Sequence, residues 1–368
     1  MRSTNCGFLA RFAAKSRLLG LGVLLCGCGP RFDPPNQLTT LRILGVQKDL
    51  PYAKPGQTVN LSILWEDASP AAGRNVRITW SGPCFDPAGD LYYGCFSQPE
   101  VFASLFSGSS SDTTSFVMPT DYVTNPTAMA GDQKTAPIIR PATGENNTGY
   151  GIAFVFFAAC AGTLTPIKTS DPTALPVGCM DDSGKLLDSD DFVAGYTAIY
   201  AYDQFTNNNP VITGFQFNGQ ELPPTSVCIG DGCTSIAESP PPTADSIDCA
   251  GMPPDPRCIP TCANDGQSPC HGYPIQPTVD QAKSQEQDDV SVEQLGHPVG
   301  EQMWIDYYTD GGGFKSGTRL LNDATSGWNP DYGTDFYASK DAKVSRVWAL
   351  VHDNRGGVSW AGIELKTE

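Results

Sequence analysis

Apolar residues recur along this chain with a period of two, in short runs broken by turns. In "QTVNLSILWED", Val59, Leu61, Ile63 and Trp65 alternate with Asn60, Ser62 and Leu64. That period places successive side chains on opposite faces of an extended backbone and predicts a strand. Pro55-Gly56 supplies a turn just before it. Val76, Ile78 and Trp80 repeat the pattern, and further strands are predicted over 101–106, 115–118, 150–159 and 193–202. A fresh start follows in "NNNPVITGFQFNGQELPP", residues 207–224, where Val211, Phe215 and Phe217 mark an opening strand after a polar linker. Strands resume at "EQMWIDYY" and close in "VSRVWALVHDNRGGVSWAGIELK", where 344–351 and 358–365 flank an Asp353–Gly357 turn and predict a hairpin. Trp360 and Ile363 are out of phase by one residue, which predicts a β-bulge near Ala361-Gly362. No helix is signalled. The expected fold is all-β: two tandem β-sandwich domains, 41–206 and 207–368, with long loops and a disulfide-rich insertion over 223–288. The insertion has little periodic apolar content, so disulfides and not a core should staple it.

The amino terminus has a different pattern. Arg2, Arg11, Lys15 and Arg17 precede the apolar run 18–25, and no acid interrupts them. That order is an export signal. The run is cut by Gly27 and Pro30 before it reaches the about 20 apolar residues that span a bilayer. "LCGC", residues 25–28, resembles the bacterial lipobox, which implies a signal peptide over 1–27 and a diacylglycerol-modified Cys28 as the first mature residue. Three acyl chains, at about 0.8 kcal/mol per buried CH₂, would make membrane residence permanent. By the same resemblance, Gly29 in place of aspartate implies the outer membrane, and residues 28–40 become the lipidated terminus and its Pro-containing tether.

Further resemblances bear on the body. The Pro55-Gly56 turn with its flanking strands resembles bacterial immunoglobulin-like domains, and the closing hairpin resembles the last two strands of immunoglobulin-like and PKD-like modules. The whole layout, lipobox, tandem sandwiches and Cys-rich insertion, resembles secreted lipoproteins of myxobacteria and their relatives. This likeness implies architecture and transfers no catalytic residue. The sequons at Asn60 and Asn146 have no expected use in a bacterial lipoprotein.

Composition narrows the compartment and the partners. The chain has 13 cysteines. Cys6 and Cys26 leave with the signal and Cys28 is acylated. The even remainder, Cys84, Cys95, Cys160, Cys179, Cys228, Cys233, Cys249, Cys258, Cys262 and Cys270, can pair completely in an oxidising periplasm or at the surface. Neighbouring spacing suggests Cys84 with Cys95 and Cys160 with Cys179; the last six stay open. Formal charge is −17, and the signal peptide carries only basic residues, so the mature chain is more acidic still. Such a surface repels phosphate backbones and excludes nucleic acid as a partner.

Candidate chemistry is sparse. Of three histidines, His271, His297 and His352, none adjoins a G-x-S-x-G elbow. Cys258, Cys262, Cys270 and His271 could form a zinc set, but nearby cysteines in an oxidising compartment pair with each other. "GGGFKS" lacks the Gly-Lys step of a phosphate loop. Asp181, Asp182, Asp188, Asp190 and Asp191 are a weak calcium set without EF-hand order, and a structural calcium is the one cofactor expected, if any. Trp304, Tyr307, Tyr308, Trp328, Tyr332 and Tyr337 could stack on sugars if exposed in a row, or fill the core. The expected function is a non-enzymatic, lipid-anchored binding, adhesion or assembly module, bound to the membrane through Cys28 and facing an envelope protein or glycan. The alternatives are a carbohydrate- or cell-wall-binding lipoprotein and an exported metal-dependent hydrolase.

Overall fold

The alternation of Val59, Leu61 and Ile63 builds a strand whose inward side chains are buried while Thr58 and Asn60 stay exposed. This is strand β3 (Thr58–Asp67) in a computed structural model that describes residues 35–70, 73–120, 149–224, 226–228, 247–262 and 270–368. Cys28, the signal peptide, Asn146 and Cys233 lie outside the described residues. The chain is mostly strand, with a few short helices.

The first half contains β1 (Leu41–Lys48), β2 (Tyr52–Ala53), β3, β4 (Arg77–Phe85), α1 (Pro99–Ser107), β5 (Thr113–Val117), β6 (Gly151–Cys160), β7 (Thr163–Pro166), β8 (Val177–Met180) and β9 (Phe192–Ala201). One sheet runs β1-β3-β5 and another β2-β9-β6-β4; β7 and β8 form a separate hairpin. Between the two sheets lies a core with Leu41, Val59, Leu61, Ile78, Val155 and Ile199.

All ten residues of β6 are buried. Ala153, Val155, Phe157 and Ala159 face that core, while Ile152, Phe154, Phe156 and Ala158 face an outer layer. The outer layer contains α1, and here the sequence expectation fails: 101–106 is helical, not a strand. Pro99 starts the helix where its missing N–H costs nothing. Val101, Phe102 and Leu105 then fall on one face and are buried. A nine-residue helix is too short to persist alone, below the about 12–15 residues an isolated helix needs, so packing on β6 decides its conformation. Disulfide Cys84–Cys95 secures this layer and Cys160–Cys179 ties the end of β6 to β8. Both are the pairs that neighbouring spacing suggests.

The second half contains β10 (Ile212–Phe217), β11 (Gln220–Leu222), β12 (Ser226–Cys228), β13 (Cys258–Ile259), β14 (Gly272–Val279), α2 (Gln281–Ser284), α3 (Asp289–Leu295), β15 (Met303–Thr309), β16 (Gly313–Phe314), β17 (Thr318–Asp323), β18 (Gly327–Trp328), β19 (Thr334–Tyr337), β20 (Lys343–Asp353) and β21 (Val358–Thr367). One sheet runs β11-β10-β14-β19-β16; the other runs β12-β21-β20-β15-β17-β18, with β13 also on β21. Phe215, Phe217, Ile275, Ile305, Tyr307, Val347 and Val351 belong to the core between them. Asn218 and Gly219, both at positive φ (49° and 77°), close the β10–β11 hairpin as a two-residue turn.

The insertion is smaller than 223–288. From Gly272 onward it is β14, a central strand between β10 and β19, with Tyr273, Ile275 and Val279 in the main core. Pro274 and Pro277 hide that alternation in the sequence, since proline cannot donate to a ladder and argues against a central strand. The described remainder is stapled by Cys249–Cys258 and Cys262–Cys270. It is also laid along β21, where β12 pairs antiparallel and β13 parallel. α2 and α3 follow it, both unsignalled.

The β20–β21 hairpin forms as predicted, but without the bulge: its register runs unbroken from Lys343 opposite Thr367 to His352 opposite Val358. Trp360 and Ile363 are both buried because each face of β21 is covered. Ile363 points into the second-half core; Trp360 joins Leu38, Leu44, Trp348 and Leu350 in a separate cluster fed by both halves. A bulge is present instead in β1, between Ile43 and Gly45, where it sends Leu44 into this cluster. Gly45 permits the approach, because a Cβ there would lie 2.8 Å from Leu350 Cδ2. Residues 36–38, read from the sequence as tether, are docked: Leu38 N donates to Thr309 O (2.7 Å) and Thr309 N to Asn36 O (3.1 Å).

Replacing Cys84 and Cys95 together by serine should cost roughly 2–4 kcal/mol, from the lost constraint on a loop of this size. Urea unfolding measures the loss, and hydrogen exchange should localise it to α1 and the preceding turn.

Candidate functional site

The turn between β20 and β21 places a charged residue where no solvent reaches. Asp353 begins the turn and its Oδ1 accepts the N–H groups of Arg355 (2.7 Å) and Gly357 (2.8 Å). This holds the backbone so that the Arg355 side chain, 2% exposed, enters the junction between the halves. Its Nε donates to Glu301 Oε1 (2.6 Å), and its Nη2 donates to Asn207 Oδ1 (2.7 Å) and Glu286 Oε2 (2.8 Å). The guanidinium carbon lies 5.5 Å from the centre of the Tyr52 ring, which the first half contributes. A buried guanidinium is tolerated only when its donors are satisfied, and here the linker and the second half supply the acceptors while the first half supplies the Tyr52 ring.

The linker does the rest. Asn207, Asn208 and Asn209 read in the sequence as part of a polar linker, and in the fold each side chain is engaged. Asn207 Nδ2 donates to Asp353 Oδ2 (3.2 Å), Asn208 to Glu286, and Asn209 Nδ2 to Lys48 O (2.6 Å) while its Oδ1 accepts Val358 N (2.9 Å). Gln47 Nε2 adds bonds to Val358 O (2.8 Å) and Ser359 Oγ (3.2 Å). At the other end of the same contact, Arg346 Nη1 pairs with Glu66 Oε1 at 3.0 Å. Between these polar ends sits the Leu44, Trp348, Leu350 and Trp360 cluster.

Burial sets the proton affinities. It pushes Glu301 up to about 7, with Asp353 adding to the rise and Arg355 opposing it. Burial pushes Lys48 down to about 8 against the pull of Asp353; its Nζ donates to Ala198 O at 3.2 Å. Burial also raises Asp353. His352 is lowered by burial, opposed by Asp306, whose Oδ2 is 3.4 Å from Nε2; its ring stacks on Trp304 at 5.2 Å. The arrangement supplies cohesion and proton-binding capacity.

The other sequence-chosen residues are dispersed or already bonded. Asp181 Oδ1 caps its own turn through Ser183 N and Lys185 N (both 2.9 Å); Asp188 Oδ1 accepts Asp190 N (3.1 Å); Asp191 pairs with Arg74; Asp182 and Asp190 are exposed. Among the described residues no group of three or more His, Cys, Asp or Glu could hold a metal ion. Cys258, Cys262 and Cys270 are in disulfides, and His271 packs edge-on against Tyr273. His297 is exposed. Tyr307 and Tyr332 are buried, Trp304, Tyr308, Trp328 and Tyr337 are half-buried, and so none of the six aromatics is exposed. Among the described residues no helix is long and apolar enough to cross a membrane.

Sequence reasoning did not single out Arg355, Glu301 or Asn207. The available signal was a charged residue inside the Asp353–Gly357 turn together with three successive asparagines, but only the fold brings them into contact.

No protein-family model and no curated protein matches this chain. Among solved structures, the three N-terminal domains of the bacteriophage RB49 Highly Immunogenic Outer Capsid protein (Hoc) align over 89% of this chain and 98% of that one. The identity is 6% and the TM-score 0.13, too low to carry any argument.

Arg355→Met should cost about 3–5 kcal/mol, because it strands Glu301 in a buried site without its counter-charge. Asn207→Ala should cost about 1–3 kcal/mol by taking the side-chain donor from the buried Asp353 Oδ2 and one acceptor from Arg355 Nη2. Denaturant unfolding of each variant, followed by tryptophan fluorescence, checks both values and their order.

Proposed function

We propose that this chain is a non-enzymatic, lipid-anchored protein of the bacterial outer membrane, a binding or assembly module. Two immunoglobulin-like β-sandwiches, 41–206 and 207–368, form its body. The observation that carries this reading is the clamp at Arg355, whose acceptors come from the linker and from two separate stretches of the second half, over a tyrosine of the first. Two bodies joined this way present their loops in a fixed relation, which suits recognition of an extended partner.

Strand order supports the sandwich reading. In each half a strand pairs antiparallel with the next long one and that with a third: β1-β3-β5 in one, β10-β14-β19 in the other. Across each core lie three more, β4-β6-β9 and β15-β20-β21, and a short strand runs parallel to the last, β2 on β9 and β13 on β21. Two antiparallel sheets with these connections support an immunoglobulin-type layout. On this reading the Cys-rich insertion lengthens one crossover and returns as an edge strand.

The disulfides support an oxidising compartment outside the cytoplasm. The "LCGC" run at 25–28 supports acylation of Cys28. Acidity supports a lipid anchor over electrostatic adhesion, since anionic headgroups repel a chain of charge −17.

Expression of the full chain in a Gram-negative host tests the reading. The mature terminal peptide should carry acyl chains on Cys28 and the protein should fractionate with outer membranes, while Cys28→Ser should accumulate in a soluble fraction. A native amino terminus other than acylated Cys28 overturns the anchor.

A further inference from the structure

The clamp holds more negative than positive charge out of water. Glu301 and Asp353 are buried, Asp288 is buried and accepts Asn354 Nδ2 (3.0 Å), and Glu286 is partly covered. Against these four carboxylates stand two cations, Arg355 from the β20–β21 turn and Lys48 from β1. The guanidinium is divided between Glu301 and Glu286, so neither carboxylate has a full counter-charge. Around Glu301 every packed element contributes. The turn faces it with Arg355 and Asp353, and the segment before α3 with Glu286, whose N–H donates to Glu301 Oε2 (3.3 Å). β17 contributes Asn322, whose side chain bonds the Glu301 carbonyl; the linker contributes Asn207 through Arg355, and β1 brings Lys48 beside Asp353.

We propose that this junction is a proton-operated latch: Glu301 takes up a proton as the medium turns mildly acidic, and the contact between the halves tightens. Neutralising one of four carboxylates halves the buried excess over the two cations while Arg355 keeps Glu286 and Asn207 as acceptors. A protonated Glu301 also gains an O–H donor beside Asp353.

The direction follows from linkage. Burial raises the proton affinity of Glu301 in the folded chain above its free value. Its contribution is therefore complete below the ordinary glutamate range and is lost as pH rises through neutrality. Lys48, lowered by burial, works in the alkaline window: there the unfolded chain binds more protons, and stability rises with pH. His352 opposes Glu301, since its lowered affinity favours the unfolded chain in acid. The comparison with Glu301→Gln isolates the proposed group from both. The latch stands on the junction alone and is independent of any anchor at Cys28.

Amide hydrogen exchange of the full chain, from about pH 5.5 to 8.5, where glutamate at its ordinary affinity would not titrate, tests the latch at Arg355, Gly357 and Val358. The N–H groups of Arg355 and Gly357 bond to Asp353 inside the turn that carries the clamp, and that of Val358 bonds to Asn209 of the linker. Protection should rise severalfold on acidification in the native chain. In Glu301→Gln it should stay at the high, acid-like level throughout. Identical pH trends in both proteins, or protection that falls in acid, would overturn the proposal. Should the variant fail to fold, carbon-labelled NMR of the native chain decides: the Glu301 carboxyl must titrate near neutrality, and titration in the ordinary carboxylate range sinks the latch.

Discussion

A guanidinium with almost no access to water must find its acceptors inside the protein, and Arg355 finds them in residues far apart along the chain. Asn207 belongs to the linker, Glu286 and Glu301 to the segment flanking α3, and Tyr52 beneath the guanidinium to the first half. Losing Glu301 strips the buried Nε of its acceptor and losing Arg355 leaves Glu301 buried without its counter-charge, either of which is costlier than never having built the site. The clamp therefore fixes geometry more than it adds net stability. It requires the Asp353 turn, the linker path and the β1 approach to be correct at once.

Apolar burial supplies the cohesion that the clamp directs. β20 and β21 are covered on both faces, by the second-half core and by the cluster around Trp348, Leu350 and Trp360. β6 has the same position in the first half, between the core shared with the facing sheet and the α1 layer. Each large side chain so buried contributes about 1.5–3 kcal/mol. Double-faced strands in both halves explain how a chain with long loops and many glycines and prolines still packs densely. Gly362 shows how close the packing is: a Cβ there would lie 2.5 Å from the Trp348 ring.

The insertion shows a second way to manage a β fold. A sheet edge left open invites pairing with other chains. Here β12 and β13 occupy the free side of β21, while Lys366 Nζ bonds Ile247 O (3.2 Å) and Thr261 N bonds Glu368 O (3.0 Å). Disulfide Cys249–Cys258 fixes the approach of β13 with no core of its own. Covalent staples, short strands and a borrowed edge together replace the apolar area that this segment lacks.

Residue order alone specifies the strands whose side chains alternate cleanly, the Asp353–Gly357 hairpin and the disulfides Cys84–Cys95 and Cys160–Cys179. Backbone pleat, turn chemistry and short loop closure are local, so a few adjacent residues suffice to dictate them. Packing in three dimensions dictates whatever depends on the facing surface. It makes 101–106 a helix because β6 offers an apolar face, and keeps 272–279 a central strand despite two prolines because β10 and β19 pair with it. It puts Trp360 and Ile363 in opposite cores without a bulge because both faces of β21 are covered. The clamp belongs wholly to this second class: nothing near Arg355 in sequence names Glu301 or Asn207. Desolvation raises the stakes of each contact only after distant segments have closed around it.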